Sequence, residues 1–112
     1  MKQYDVVIVG AGPAGLKCAE ILAQARKKII VLEKNKVIGD KVCAGGLDFK
    51  NFEFGIPEKL FQRKFNKVKV LTILGKEEIK TENKIIFATI DRKDLGKWMA
   101  EKAKRAGAEI KT

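Results

Sequence analysis

The sequence contains no histidine, and that absence alone removes several chemistries. A Ser-His-Asp or Cys-His nucleophile would have no imidazole to act as its base. A structural zinc needs about four Cys, His or carboxylate ligands, and Cys18 and Cys43 are the only thiols, so no metal site is expected. The two cysteines form neither a CxxC pair nor a disulfide framework, which fits a reducing, cytoplasmic setting. No apolar run approaches the ~20 residues of a membrane-spanning helix. The opening MKQYDVVIVGAGPAGLKCAEILAQA has the lysine, apolar run and late A-x-A of a secretory signal. However, Asp5 stands where the apolar run should begin and Gly-Ala-Gly-Pro interrupts it, so it reads as mature sequence. Acidic residues are scarce as well, 14 against 24 basic ones, for a net charge of +10. The basic excess is nearly all lysine, with Arg26, Arg63, Arg92 and Arg105 the only arginines. Nucleic-acid readers lean on arginine for bidentate contacts, so no nucleic acid is expected as a partner. The scattered lysines read first as a solvated surface, and otherwise as attraction to an anion: a phosphate cofactor, a phospholipid surface or, as the less expected case, nucleic acid. Repeats, low-complexity tracts and linkers are also lacking.

What is present fits one small domain of 112 residues with a modest core. Tyr4 to Val9 is an unbroken apolar run of the kind found in a strand buried on both faces. Glycines 10 to 15 interrupt it, and Ala14 to Arg26 then predicts a helix with Ala14, Cys18, Ile21, Leu22 and Ala25 as its inner stripe. Cys18 accordingly reads as a small buried hydrophobe. Ile29 to Glu33 predicts a second buried strand, parallel to the first. Residues 34–55 read as a long irregular stretch and so as a candidate functional loop. Pro57 to Gln62 predicts a short helix opening at proline. Lys67 to Leu74, Glu77 to Thr81 and Lys84 to Ile90 predict three antiparallel strands. Asp91 is a candidate cap for a helix over Arg92 to Ala106 with Leu95, Met99, Ala103 and Ala106 on one side, ended by Gly107. Ala108 to Lys111 begins a further strand. The expected architecture is α/β: a Rossmann-like βαβ unit over the first third, loop and antiparallel strands over 34–90, and a helix and strand over 91–112 returning to the parallel sheet. With so few parallel strands and a strand at its end, it predicts an incomplete domain.

The motif that carries chemistry is GAGPAG, which sets Gly10, Gly12 and Gly15 in G-x-G-x-x-G spacing. Gly10 permits the tight turn, Gly12 lets backbone approach a pyrophosphate, and Gly15 lets the helix pack close to the strand. The helix N-terminus then offers unpaired N–H groups and a partial positive charge to the phosphates. Glu33, at the end of the next strand, stands about the ~20 residues downstream at which a carboxylate accepts hydrogen bonds from ribose hydroxyls and repels a 2′-phosphate. The fingerprint serves flavin and nicotinamide dinucleotides equally, since both contain the ADP half.

Beyond the fingerprint, YDVVIVGAGPAGLKCAEILA, VLEK, Gly39, KVCAGGL and IDRKDLGKWMAEKAKRAGAEI together resemble the start of the geranylgeranyl reductase family. These are FAD-dependent enzymes of the para-hydroxybenzoate hydroxylase-type fold that reduce C=C bonds in prenyl chains. The resemblance runs the length of this chain and matches roughly the first third of a family member. It implies FAD as cofactor, with Gly10, Gly12, Ala14 and Gly15 at the pyrophosphate and Glu33 at the adenosine ribose. It places Cys43, Ala44 and Gly46 along the flavin side and Arg92 near the cofactor. It further implies a prenylated lipid or isoprenoid substrate, NADPH or ferredoxin as electron donor, and room for peripheral contact with a membrane. The chain lacks the family's second flavin-binding segment and most of its substrate sheet, so these residues alone are not expected to suffice for catalysis.

Three readings of Cys43 stay open: a loop residue without a role, a packing contact to the flavin, or a thiol that helps deliver a proton. Gly45 and Gly46, lacking Cβ atoms, would let backbone touch the cofactor. Arg92 opposes the helix dipole in a first turn, which either an anionic cofactor or simple solvation accounts for. Trp98, Phe49, Phe52, Phe54 and Phe61 read as packing residues rather than as a prenyl cleft. Two rivals accompany the leading reading: another FAD-dependent oxidoreductase or monooxygenase of the same fold, and a basic binding module without catalysis.

Overall fold

The computed structural model describes the backbone of residues 1–112 and every side chain except those of Phe49 and Asn51. The packing expectation for Phe49 therefore lies outside the described side chains. The chain forms two compact units, Met1–Val42 with Arg92–Thr112, and Cys43–Asp91.

The first unit holds a parallel sheet of β1 (Val6–Val9), β2 (Ile29–Leu32) and β8 (Glu109–Lys111), in the order β1-β2-β8. Val6 pairs with Ile29, Ile8 with Val31, and Val31 with Ile110, so these side chains share one face. Helices α1 (Pro13–Gln24) and α2 (Arg92–Ala106) pack on that face, and Leu16, Ala19, Ala23, Ala100 and Ala103 complete the core. Alanine dominates where the helices meet, which lets the two backbones approach closely. The other sheet face is exposed: Val7 keeps 55% and Val9 85% of its accessible surface. The expectation of a strand buried on both faces is therefore corrected, because both helices of this unit lie on one side. No helix among the described residues is long and apolar enough to cross a membrane.

The inner face of α1 also differs from the expected stripe. Its buried residues are Leu16, Ala19, Glu20 and Ala23, while Cys18 and Ile21 are exposed. A carboxylate broke the apolar pattern, and its burial has a physical reason. Glu20 accepts hydrogen bonds from the ammonium groups of Lys17 at 3.0 Å and Lys102 of α2 at 3.2 Å. Burial pushes the Glu20 carboxyl up, the two ammonium groups outweigh it, and the net direction is down. Helix α1 stops two residues before the expected Arg26. Arg26 takes a left-handed conformation (φ 62°), and the Lys27 N–H closes on the Leu22 carbonyl at 3.1 Å.

In the second unit, β7 (Phe87–Ile90) is central, flanked antiparallel by β3 (Gly46–Asp48) and β4 (Phe61–Phe65). Strands β5 (Lys67–Thr72) and β6 (Gly75–Lys80) form a separate antiparallel ribbon. The three strands read as one antiparallel set thus divide between two sheets. The stretch read as irregular contains β3 and a 3₁₀ segment over Phe49–Phe54, and Pro57 leads into a single 3₁₀ turn, Glu58–Leu60. Phe52 and Phe61 stack tilted at 5.4 Å between centroids, while Phe54 is exposed. In the first unit Trp98 is half-buried, and the Lys102 ammonium sits 4.8 Å from its ring centroid.

Candidate nucleotide-binding site

The glycine turn lies at the C-terminal ends of the parallel strands, where open α/β sheets bind ligands. Gly10 has φ 102°, reachable at low cost only without a Cβ, and its N–H donates to the Leu32 carbonyl at 2.7 Å. A Cβ on Gly15 would collide with the Gly10 carbonyl, so glycine there fixes how closely α1 meets β1. Gly12 is different. It caps α1 with ordinary extended dihedrals, and a Cβ on it would meet nothing within 4 Å. Glycine at position 12 keeps space open rather than relieving an internal clash. Pro13 opens the helix, and Gly12, Pro13 and Ala14 are exposed.

Glu33 is brought to this turn. Its Oε2 accepts the Ala11 N–H at 2.7 Å, and its Oε1 accepts the Asn35 N–H at 2.9 Å. The N–H groups of Asn35 and Ala11 hold the carboxyl below its ordinary range, so it is ionised at neutral pH. The Glu33 N–H donates to the Lys111 carbonyl at 2.8 Å, which ties the end of β2 to β8. A carboxylate has about four lone-pair positions, so two backbone donors leave room for ribose hydroxyls on a half-exposed side chain. Gly10, Gly12, Ala14, Gly15 and Glu33 therefore belong to one loop cluster.

Arg92 stands at the first turn of α2, in the same unit. It is half-buried, and its Nε is buried with no hydrogen-bond partner among the described residues. A buried guanidinium N–H without an acceptor is costly, which makes this a position suited to an anionic group. The carbonyl of Arg92 lies against Gly39 (φ 83°), where a Cβ would collide with it, and a Cβ on Gly96 would approach the Gly39 Cα to 3.0 Å. Asp40 pairs with Lys93 at 3.2 Å beside this contact. Sequence reasoning missed Gly96. The available signal was a glycine inside a helix, which costs about 1 kcal/mol against alanine and so calls for a reason.

Cys43, Ala44 and Gly46 fall in the second unit, and all three are exposed. The Cys43 Sγ accepts the Gly45 N–H at 3.4 Å, so the thiol closes a local turn. Gly45 (φ 70°) has the Ile90 carbonyl where a Cβ would go, and its own carbonyl accepts the Ile90 N–H at 2.9 Å. A Cβ on Gly46 would sit 2.6 Å from the Phe87 ring. The close β3–β7 contact thus accounts for both glycines without a ligand. An open cleft of about 450 Å³ lined by Lys2, Tyr4, Lys28 and Glu109 lies at the opposite, N-terminal ends of the strands, away from the glycine turn.

The Thi4 family matches residues 1–89, which take in the glycine turn, Glu33 and the Cys43–Gly46 segment. The chain belongs to the Thi4 family. Its relatives include the digeranylgeranylglycerophospholipid reductase of Methanocaldococcus jannaschii, 36% identical over 110 residues, covering 96% of this chain and 28% of that protein. The thiamine thiazole synthase of Methanococcus maripaludis is 38% identical over 81 residues, covering 72% of this chain and 31% of the synthase. Among solved structures, a geranylgeranyl bacteriochlorophyll reductase-like protein of Thermoplasma acidophilum superposes with a TM-score of 0.81 at 24% identity, over 96% of this chain and 29% of that one. The motif resemblance to geranylgeranyl reductases is thus a sequence relationship across nearly the whole chain, and the Rossmann-like α/β fold is shared. The chain spans less than a third of the length of the curated relatives just named. It is related to FAD-dependent oxidoreductases.

Proposed function

We propose that this chain binds FAD and forms the cofactor-holding part of a flavin-dependent reductase of prenyl C=C bonds. The observation that carries the reading is the cluster of Gly12, open for want of a Cβ, with the Glu33 carboxylate hydrogen-bonded to the Ala11 N–H. In this reading Gly10, Gly12, Ala14 and Gly15 hold the pyrophosphate and Glu33 the adenosine ribose. Arg92 gives its unpartnered Nε to an anionic part of the cofactor, and Cys43, Ala44 and Gly46 border the flavin. FAD, when bound, supplies two-electron reduction. The chain's own residues bind and orient it, and Glu33 disfavours a 2′-phosphorylated competitor by charge.

Prenyl chains are the favoured substrate class because the match to the lipid reductase leaves only 4% of this chain unmatched and so reaches into α2 and Arg92. Thiazole synthesis is the second reading, supported by the family match, which stops at residue 89. The electron donor in the prenyl reading is NADPH or ferredoxin. The test is competition against labelled ADP-ribose on the purified chain. FAD is expected to displace it at least tenfold more effectively than NADPH, and better displacement by NADPH would overturn the reading. In the reductase of which this chain forms the cofactor-holding part, reoxidation of the dithionite-reduced flavin by a geranylgeranyl lipid, with none by its saturated counterpart, separates prenyl reduction from thiazole synthesis.

A further inference from the structure

Two-residue hairpin loops favour Asn-Gly, Asp-Gly and similar pairs, whose backbones turn easily and whose side chains suit water. The β5–β6 ribbon turns instead on Ile73 and Leu74, both essentially fully exposed, with Leu71 76% exposed behind them. The turn is locally braced: the Thr72 hydroxyl accepts the Leu74 N–H at 3.2 Å and donates to the Gly75 carbonyl at 3.3 Å. Large apolar side chains are thus held at a protruding tip where nothing in the fold requires them.

The register explains the rest of the ribbon. Lys67 lies opposite Lys80, Lys69 opposite Glu78, and Leu71 opposite Lys76, so these six share one face. Four lysines stand against one glutamate there. Glu78 is shared by Lys67 at 3.0 Å and Lys69 at 3.7 Å, and among the described residues Lys76 and Lys80 have no carboxylate partner. At about 3.4 Å per residue, Lys76 stands about 7 Å behind Leu74 along the strand. That spacing suits apolar groups in the acyl boundary of a bilayer and ammonium groups at phosphate level. Residues 67–80 contain neither arginine nor aromatic side chains, so the ribbon lacks the stacking groups a nucleic acid would use.

We propose that the Ile73–Leu74 tip inserts into an anionic phospholipid surface, with Lys76, the lysine of this face nearest the tip, engaging the headgroups. The inference is independent of the cofactor reading, and its test contains no flavin. The full chain is sedimented with vesicles of phosphatidylcholine alone and with phosphatidylglycerol added. Binding is expected only with the anionic lipid, falling about fivefold for Lys76→Gln and much less for Lys80→Gln, which at about 3.4 Å per residue stands about 20 Å behind Leu74 and beyond a Debye length of the headgroups. The double variant Ile73→Asp, Leu74→Asp is expected to lose at least tenfold in binding while its circular dichroism and melting temperature stay unchanged. Failure of the parent chain to bind, or undiminished binding by the double variant, would overturn insertion. Self-association that the double variant abolishes, in a chain indifferent to vesicles, would also overturn it and identify a protein-docking tip.

Discussion

The Glu33 carboxylate accepts the backbone N–H of Ala11 at 2.7 Å, across the turn joining β1 to α1. One side chain thereby holds the glycine turn in shape and offers negative charge at its lip. Glu33→Ala is expected to lower ADP-ribose affinity about tenfold, the scale of a hydrogen bond to a charged group. Glu33→Gln should lose less affinity but surrender most of the preference over NADPH, because only the charge is gone. Calorimetric titration of the three proteins reads both effects, and unchanged affinity in Glu33→Ala would remove Glu33 from the site.

Gly12 and Gly15 are expected to fail in opposite ways. A methyl on Gly12 meets open space, so Gly12→Ala should cost at most about 1 kcal/mol of stability while reducing FAD affinity at least tenfold. A methyl on Gly15 meets the Gly10 carbonyl and comes within 3.3 Å of the Ile8 side chain. Gly15→Ala should therefore destabilise by about 1–3 kcal/mol or more, whether or not ligand is present. Denaturant unfolding with and without FAD distinguishes the two.

Glu20 makes stability pH-dependent in a definite direction. Its folded carboxyl lies below the ordinary 4.5, so its contribution is complete above that value and declines as pH falls through the lowered one. Melting temperatures between pH 7 and pH 3 should fall less steeply in Glu20→Gln than in the parent. At pH 7 the variant should be less stable by about 1.5–3 kcal/mol, toward the lower end because Lys17 and Lys102 are partly exposed. Parallel pH profiles would mean that Glu20 contributes no charge-dependent stability.

Both cysteines are exposed, so the native chain should titrate two thiols with Ellman's reagent before any denaturant is added. Cys18→Ala should remove one of them without altering the melting temperature by more than about 2 °C. Bound FAD should slow the reaction of Cys43 if that residue borders the flavin, and equal rates with and without FAD would argue for a plain loop role.

Much of this organisation was legible because it depends on local pattern. The β1–turn–α1–β2 unit follows from an apolar run, a glycine fingerprint and a second apolar run, each confined to a few residues. Gly107 ends α2 with φ 114° and Glu33 reaches the glycine turn, both as residue type and spacing predict. The misreadings came where a partner distant in sequence decides. Cys18 and Ile21 looked like core by helical spacing, yet Lys102 draws Glu20 inward and turns the other side of α1 out. Strand β4 was invisible because Phe61-Gln-Arg-Lys-Phe65 does not alternate, and a bulge between Phe61 and Arg63 breaks its register. Strand β3 is only three residues long, too short for a period of two to register. At Gly45 and Gly46 the Ile90 carbonyl and the Phe87 ring leave no room for a Cβ, a constraint from residues more than forty positions away that the sequence does not display.

The backbone contact between Gly39 and the first turn of α2 also dictates where this chain can change length. Glu33 is pinned by two N–H groups, Ile38 packs on the core, and Gly39 is wedged against Arg92. Between those anchors only Lys34 to Val37 are exposed. An affinity handle or fluorescent reporter placed between Lys36 and Val37 can loop outward without unseating either anchor. The same insertion after Ile38 would prise the loop from α2 and shift Arg92 with it.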